Sequence, residues 1–167
     1  MRIRLSASLL SSLAMSSALA IAAPGQVVQR NDVSLAMAND LLTTALAACH
    51  AEGRTGVAAI VDSGANLVAL QRDDNVGPHN TLAAQRKAYT ALSTKTPTRL
   101  LAERARSTPD AENLNTLHEL LLLGGGVPLM FEGQVIGAIG VAGAGGAAND
   151  EGCALAAINK ILPTVKN

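Results

Sequence analysis

Apolar residues recur at spacings of three and four between residues 33 and 52, where Leu35, Ala38, Leu42, Ala45 and Cys49 share one stripe. Ser34 stands where a helix N-cap is needed and Gly53 where a helix ends, so the stretch predicts a helix with one face toward a core. The pattern then shortens to two β-type runs, residues 55–61 and 67–72, joined by Asp62-Ser63-Gly64-Ala65-Asn66. Turn chemistry between two such runs predicts a hairpin. Pro78 and Asn80 open a second helix through about Ser93, and Pro97 starts a third that reaches about Arg106. Residues 117–123, LHELLLL, suit helix or strand by periodicity; their shortness and the glycine triplet after them favour a strand.

Residues 127–132 and 134–142 form a second expected hairpin across Glu132-Gly133-Gln134, and a last helix runs from about Asn149, its expected N-cap, to Ile161. The order is α-β-β-α-α-β-β-β-α. Strands joined by short turns must be antiparallel, so the chain is expected to be an α+β domain with helices covering a five-stranded, mainly antiparallel sheet.

Composition sharpens this picture. Tyr89 and Phe131 are the only aromatic residues, so the core must be built from Ala, Leu, Val, Ile and Met with elements packed closely. So few rings argue against stacking on sugars or single-stranded bases. Ten of the fifteen glycines fall between Gly124 and Gly152, where tight turns and close backbone approach are expected.

The first 22 residues read as an address. Arg2 and Arg4 precede an uncharged Leu/Ala/Ser stretch, Leu5 to Leu19, and Ala18-Leu19-Ala20 and Ala20-Ile21-Ala22 suit a signal peptidase. Six serines make the stretch a poor membrane span. The expected organisation is a signal peptide, residues 1–22, and one domain, residues 23–167, in a periplasmic or secreted protein. Losing Arg2 and Arg4 tips a balance of 13 Lys/Arg and 13 Asp/Glu toward acidity by two charges. That favours neither nucleic acid nor an anionic membrane as partner. Cys49 and Cys153 both fall in expected helices. Two small buried thiols are the favoured reading, with a disulfide allowed by an oxidising compartment.

The residues Gly124-Gly125-Gly126-Val127-Pro128, then residues 133–141, GQVIGAIGV, then Asn149-Asp150-Glu151 resemble the closing motif of the GlcG/HbpS-like family. Residues 61–69, Gln71-Arg72-Asp73-Asp74 and residues 86–91, RKAYTA, agree with it, so the resemblance spans Val57 to about Ile161, nearly all of the expected mature chain. It implies a profilin-like fold assembled into homo-oligomers. Members include haem-binding secreted proteins, also described as haem-degrading; others stand beside small-acid or aromatic catabolism, and a related module is attached to corrinoid adenosyltransferases. Ala142 departs from the pattern, in which Ser is common, and removes a hydroxyl from the loop.

Against that background, His79 is the candidate haem iron ligand. It lies in the turn opening the second helix, and a neutral imidazole suits iron. Arg86 is seven residues on, about two turns along nearly the same face, so Arg86 and its neighbour Lys87 are candidate anchors for the two haem carboxylates. His118, alternating with Glu119 on an expected strand, falls on the solvent or the ligand face and is a further candidate. His50 is explained by the dipole at its helix end, and Tyr89 by core filling. Residues 143–148, GAGGAA, satisfy a dinucleotide-binding pattern, but the strand before them belongs to a hairpin and no ribose-binding acid follows. That turn and Arg86 are the candidate anchors for the alternative ligand class, a small hydroxy or aromatic acid. No nucleophile elbow or zinc spacing appears: Ser63 is accounted for by its turn, and Asp73 and Asp74 by a charged strand end.

Overall fold

A computed structural model describes Gly25 and residues 27–162; the expected signal peptide, residues 1–22, lies outside the described residues. The first helix, α1 (Leu35–Ala51), begins where the sequence placed it. Ser34 is extended and its Oγ accepts from the Met37 amide at 3.2 Å. Gly53 ends the helix in the left-handed region at φ 67°. The stripe Ala38, Leu41, Leu42, Ala45, Leu46 and Cys49 is buried.

Strands β1 (Val57–Asp62) and β2 (Leu67–Arg72) form the first hairpin. Asp62 organises its turn: Oδ1 accepts from the amides of Gly64 and Asn66, both at 2.8 Å, while Ala65 takes φ 68°. Helices α2 (His79–Thr94) and α3 (Thr98–Ser107) follow, then a short α4 (Pro109–Glu112) and a 3-10 turn, Asn113–Thr116. The second hairpin pairs β3 (Gly126–Phe131) with β4 (Gln134–Ala142) around Glu132 and Gly133. Their positive φ values, 47° and 75°, are those of a two-residue turn matching the strand twist. The last helix is α5 (Ala147–Ile161).

The described residues form a four-stranded antiparallel sheet in the order β2-β1-β4-β3. The fold is thus α+β as expected, with four strands rather than five. Residues 117–123 are irregular; their backbone groups are met by side chains of α2 and α3 instead of a neighbouring strand. A second correction concerns α5, which starts at Ala147 after Gly146 at φ 129°, so Asn149 is inside the helix and Asp150 serves its first turn.

The two faces of the sheet are packed differently. Helices α1 and α5 cover one face through larger side chains, including Leu41, Leu42, Ile60, Leu129 and Ile139. Helix α2 lies on the other through alanines: Ala84, Ala88 and Ala91 against Ala59, Ala138 and Ala142. Gly126 and Gly140 are paired across β3 and β4, and a Cβ at either would fall on a carbonyl oxygen of α2, that of Lys87 or Ala84. The glycine-rich segment therefore acts first as a platform on which a helix backbone rests directly.

Cys49 and Cys153 correct a further expectation. They form a disulfide between α1 and α5, with Cα atoms 5.4 Å apart and 104 residues of sequence separation. Both were expected in helices, and it is the stacking of those helices side by side that brings them within bonding reach.

Candidate functional site

Because α2 meets the sheet through alanines, its bulkier residues are carried to the side. Leu82, Gln85, Arg86 and Tyr89 recur at helical spacing and form one wall of a cavity of about 420 Å³. Val61, Ala65 and Leu67 of the first hairpin make the second wall, and His118 and Glu119 of the irregular segment the third. Leu67 and Leu82 are 49% and 60% exposed, so the cavity is flanked by apolar surface that water still reaches. A smaller cavity of about 300 Å³ shares Ala65 and Tyr89 and continues toward Ser93 and Lys95.

Of the expected site residues, Arg86 and His118 meet in this cavity. Arg86 Nη2 donates to the carbonyl oxygens of His118 and Leu120, each at 2.8 Å, and makes no ion pair among the described residues. His79 is not among the lining residues. It is exposed at the first position of α2, and a Cβ on Gly77 would lie 3.0 Å from its ring. At 1.5 Å rise per residue it stands about 10 Å along the axis from Arg86, at the outer end of the same stripe.

Lys87 departs from its expected role as a ligand anchor. One residue round the helix from Arg86 is a turn of about 100°, which points it to the sheet side. There it is 4% exposed, with Nζ 2.8 Å from Asp150 Oδ2 and 2.9 Å from the Val141 carbonyl. Asp150 Oδ1 in turn accepts from the Ala144 amide at 2.8 Å. The Gly143–Ala148 turn therefore already holds a carboxylate, its own, which removes it as an external anion anchor. Arg54 clasps the turn from outside through Nη1 to the Ala144 carbonyl at 3.0 Å. Glu151, buried at the start of α5, pairs with Arg99 of α3, which also meets Glu103 at 2.8 Å. The two acids of the closing motif are thus spent on joining α5 to α2 and α3.

His50, explained from the sequence by its helix end, also pairs with Asp73: Nε2 to Oδ2 is 2.9 Å, and the same oxygen accepts from the Gly56 amide at 2.8 Å. No group of three or more His, Cys, Asp or Glu able to hold a metal ion occurs among the described residues. None of the helices described is long and apolar enough to cross a membrane. Leu82, Gln85 and Glu119 were missed from the sequence. Counting three and four from Arg86 finds Leu82 and Tyr89, but nothing local points to Glu119.

The family model described as haem degrading protein HbpS-like matches residues 33–159, which takes in all three walls of the cavity and the closing motif. The chain belongs to the HbpS-like family. Among curated HbpS-like relatives, Protein GlcG of Escherichia coli K12 is 37% identical over 83 residues; that stretch covers 50% of this chain and 60% of GlcG. The chain thus spans less than two thirds of that relative's length. Among solved structures, HbpS aligns with a TM-score of 0.77 at 34% identity, covering 84% of this chain and 97% of HbpS. A PduOC:heme complex aligns with a TM-score of 0.68 at 25% identity, covering 76% of this chain and 93% of that one. Within this HbpS-like chain the closing motif maps to helix support, while the cavity is built from α2, the first hairpin and residues 118–119.

Proposed function

We propose that this protein is an exported haem- or tetrapyrrole-binding protein that works as a homo-oligomer in a carrier, storage or sensor role. The observation that carries the proposal is one cavity that unites apolar walls with a guanidinium and an imidazole. Val61, Ala65, Leu67, Leu82 and Tyr89 suit the plate of a porphyrin, Arg86 its carboxylates, and His118 its iron. Bound there, haem would supply iron chemistry tuned by its axial donor and by the polarity around it. His79 at the outer end of the stripe is the second candidate donor. The HbpS-like family, and a PduOC neighbour solved with heme, support this reading.

A haem plate is larger than one open cavity of about 420 Å³, and the exposed Leu67 and Leu82 beside it suit cover from a second copy. Light scattering with and without hemin tests the oligomer. Export rests on the basic, apolar and small-residue order of residues 1–22 and is tested by fractionating host cells. Titration with hemin, followed at the Soret band, tests the ligand. A saturable shift is expected, weakened in His118→Ala; no saturable shift in the wild type removes the proposal, and a shift that persists in His118→Ala with His79→Ala removes histidine ligation.

The cavity volume favours a second reading. It lies in the lower half of the range of about 300–1,000 Å³ usual for small-molecule pockets, so a single chain suits a small hydroxy or aromatic acid held by Arg86. A thermal-shift screen separates the two, because a ligand that binds only the folded state raises the melting temperature.

A further inference from the structure

Residues 117–123 hang on three side chains. Thr98 Oγ1 donates to the Leu123 carbonyl at 2.7 Å, Thr90 Oγ1 accepts from the Leu121 amide at 2.8 Å, and Arg86 Nη2 holds the His118 and Leu120 carbonyls. The two threonines are fully buried and form inner pegs. Arg86 is half-buried and lies on the cavity wall, so this outer latch is the one a ligand can touch.

A guanidinium has five N–H donors, and a carboxylate grips it bidentately either along the Nε/Nη2 edge or across the Nη1/Nη2 end. Both grips need an N–H of Nη2. Nη2 has two, matched by its two carbonyl partners in residues 118 and 120. With the latch closed, a carboxylate in the cavity therefore receives only single bonds, from Nε or Nη1. A bidentate grip requires that one carbonyl be displaced. The exchange runs downhill, because a hydrogen bond between two charged partners is stronger than one to a neutral carbonyl.

We infer that residues 117–123 are a carboxylate-responsive gate, with Arg86 Nη2 as a latch shared between the segment and the ligand acid. The inference rests on the reading of the cavity as a site for a carboxylate-bearing ligand. Its consequence is that capturing the acid frees the wall that carries His118 and Glu119, so ligand charge and His118 placement are coupled. A ligand of the same shape without the acid leaves the latch closed.

Hydrogen exchange of the 117–123 amides in the full protein, with hemin and with its dimethyl ester, tests this alongside the Soret titration. Hemin is expected to speed exchange about tenfold, the change for losing one hydrogen bond from a charged donor, and the ester to leave it unchanged. Arg86→Lys keeps the charge and loses the fork, so its segment should exchange about tenfold faster without ligand and respond no further. Hemin that saturates the Soret change yet leaves exchange unaltered overturns the gate and spares the haem reading. Equal acceleration by hemin and ester also overturns it. Should hemin give no Soret change, the haem reading fails alone and propionate becomes the probe: faster exchange with propionate supports the gate, and unchanged exchange sinks it. The ester comparison needs no variant, so it decides even if Arg86→Lys does not fold.

Discussion

Replacing Lys87 by Met keeps a long apolar stem and removes only the charge, which separates a structural role from a ligand-binding one. Lys87 and Asp150 are each 4% exposed, and their contact at 2.8 Å joins α2 to the start of α5. In Lys87→Met the Asp150 carboxylate stays buried with the Ala144 amide and no cation. Breaking a buried pair by removing one partner costs about 3–5 kcal/mol, a large part of the roughly 5–15 kcal/mol that holds a domain folded. Asp150→Asn in the same chain removes the stranded charge while its amide oxygen can still accept from Ala144. The double variant is therefore expected to cost about 1–3 kcal/mol, less than either single variant, in urea unfolding of all four proteins. Arg86 and His118 lie on the other side of α2, so hemin affinity of the folded Lys87→Met protein should stay within about twofold of wild type. A variant that unfolds at the wild-type midpoint yet binds hemin about tenfold more weakly would refute this argument and make Lys87 a ligand anchor.

The disulfide joins residues separated by 104 positions, so on a chain-entropy account Cys49→Ala with Cys153→Ala loses about 4.7 kcal/mol. Thermal unfolding with and without reductant checks this; a melting temperature indifferent to both changes would contradict the pairing. Gly140→Ala places a methyl on the Ala84 carbonyl and should cost about 3 kcal/mol, whereas Gly133→Ala meets open space and should cost about 1 kcal/mol for its positive φ. Chemical denaturation ranks the two, and the reverse order would remove the platform role of Gly140. Burial raises the Asp32 pKa, but hydrogen bonds from Ser63 and Val33 and the charge of Arg30 outweigh it, leaving the group below its ordinary 3.8. A depressed folded pKa adds stability above the unfolded value that is lost as pH falls through the folded one. Asp32→Ala should thus be less stable than wild type at neutral pH, with the gap closing well below pH 3.8; a gap constant across that range would count against the Asp32–Ser63 contact.

Most elements were legible because their signals act over a few residues. Ser34 and Gly53 bound α1, Asp62 and Asn66 shape one turn, and Glu132-Gly133 the other. Residues 117–123 misled because the leucine run suits helix or strand and the segment is neither; what decided this is Thr90, Thr98 and Arg86, which lie 25 to 34 positions away and take up the backbone groups a strand would have paired. The position of Arg86 on the outer stripe of α2 was legible, but its adjacency to His118 was not, and neither was the inward turn of Lys87.

The sequence by itself determined the four longer helices, both hairpins and membership of a family, since capping, turn chemistry and hydrophobic period are local properties and the motif is a string of residues. Tertiary structure alone decided which charges are paired inside the fold and which face the cavity. Lys87 and Arg86 are neighbours of similar chemistry, and 63 residues separate Lys87 from Asp150. Only the docking of α2 on Gly126 and Gly140 turns one inward to that acid and the other out to the cavity, because the helix can approach the sheet closely along a single face.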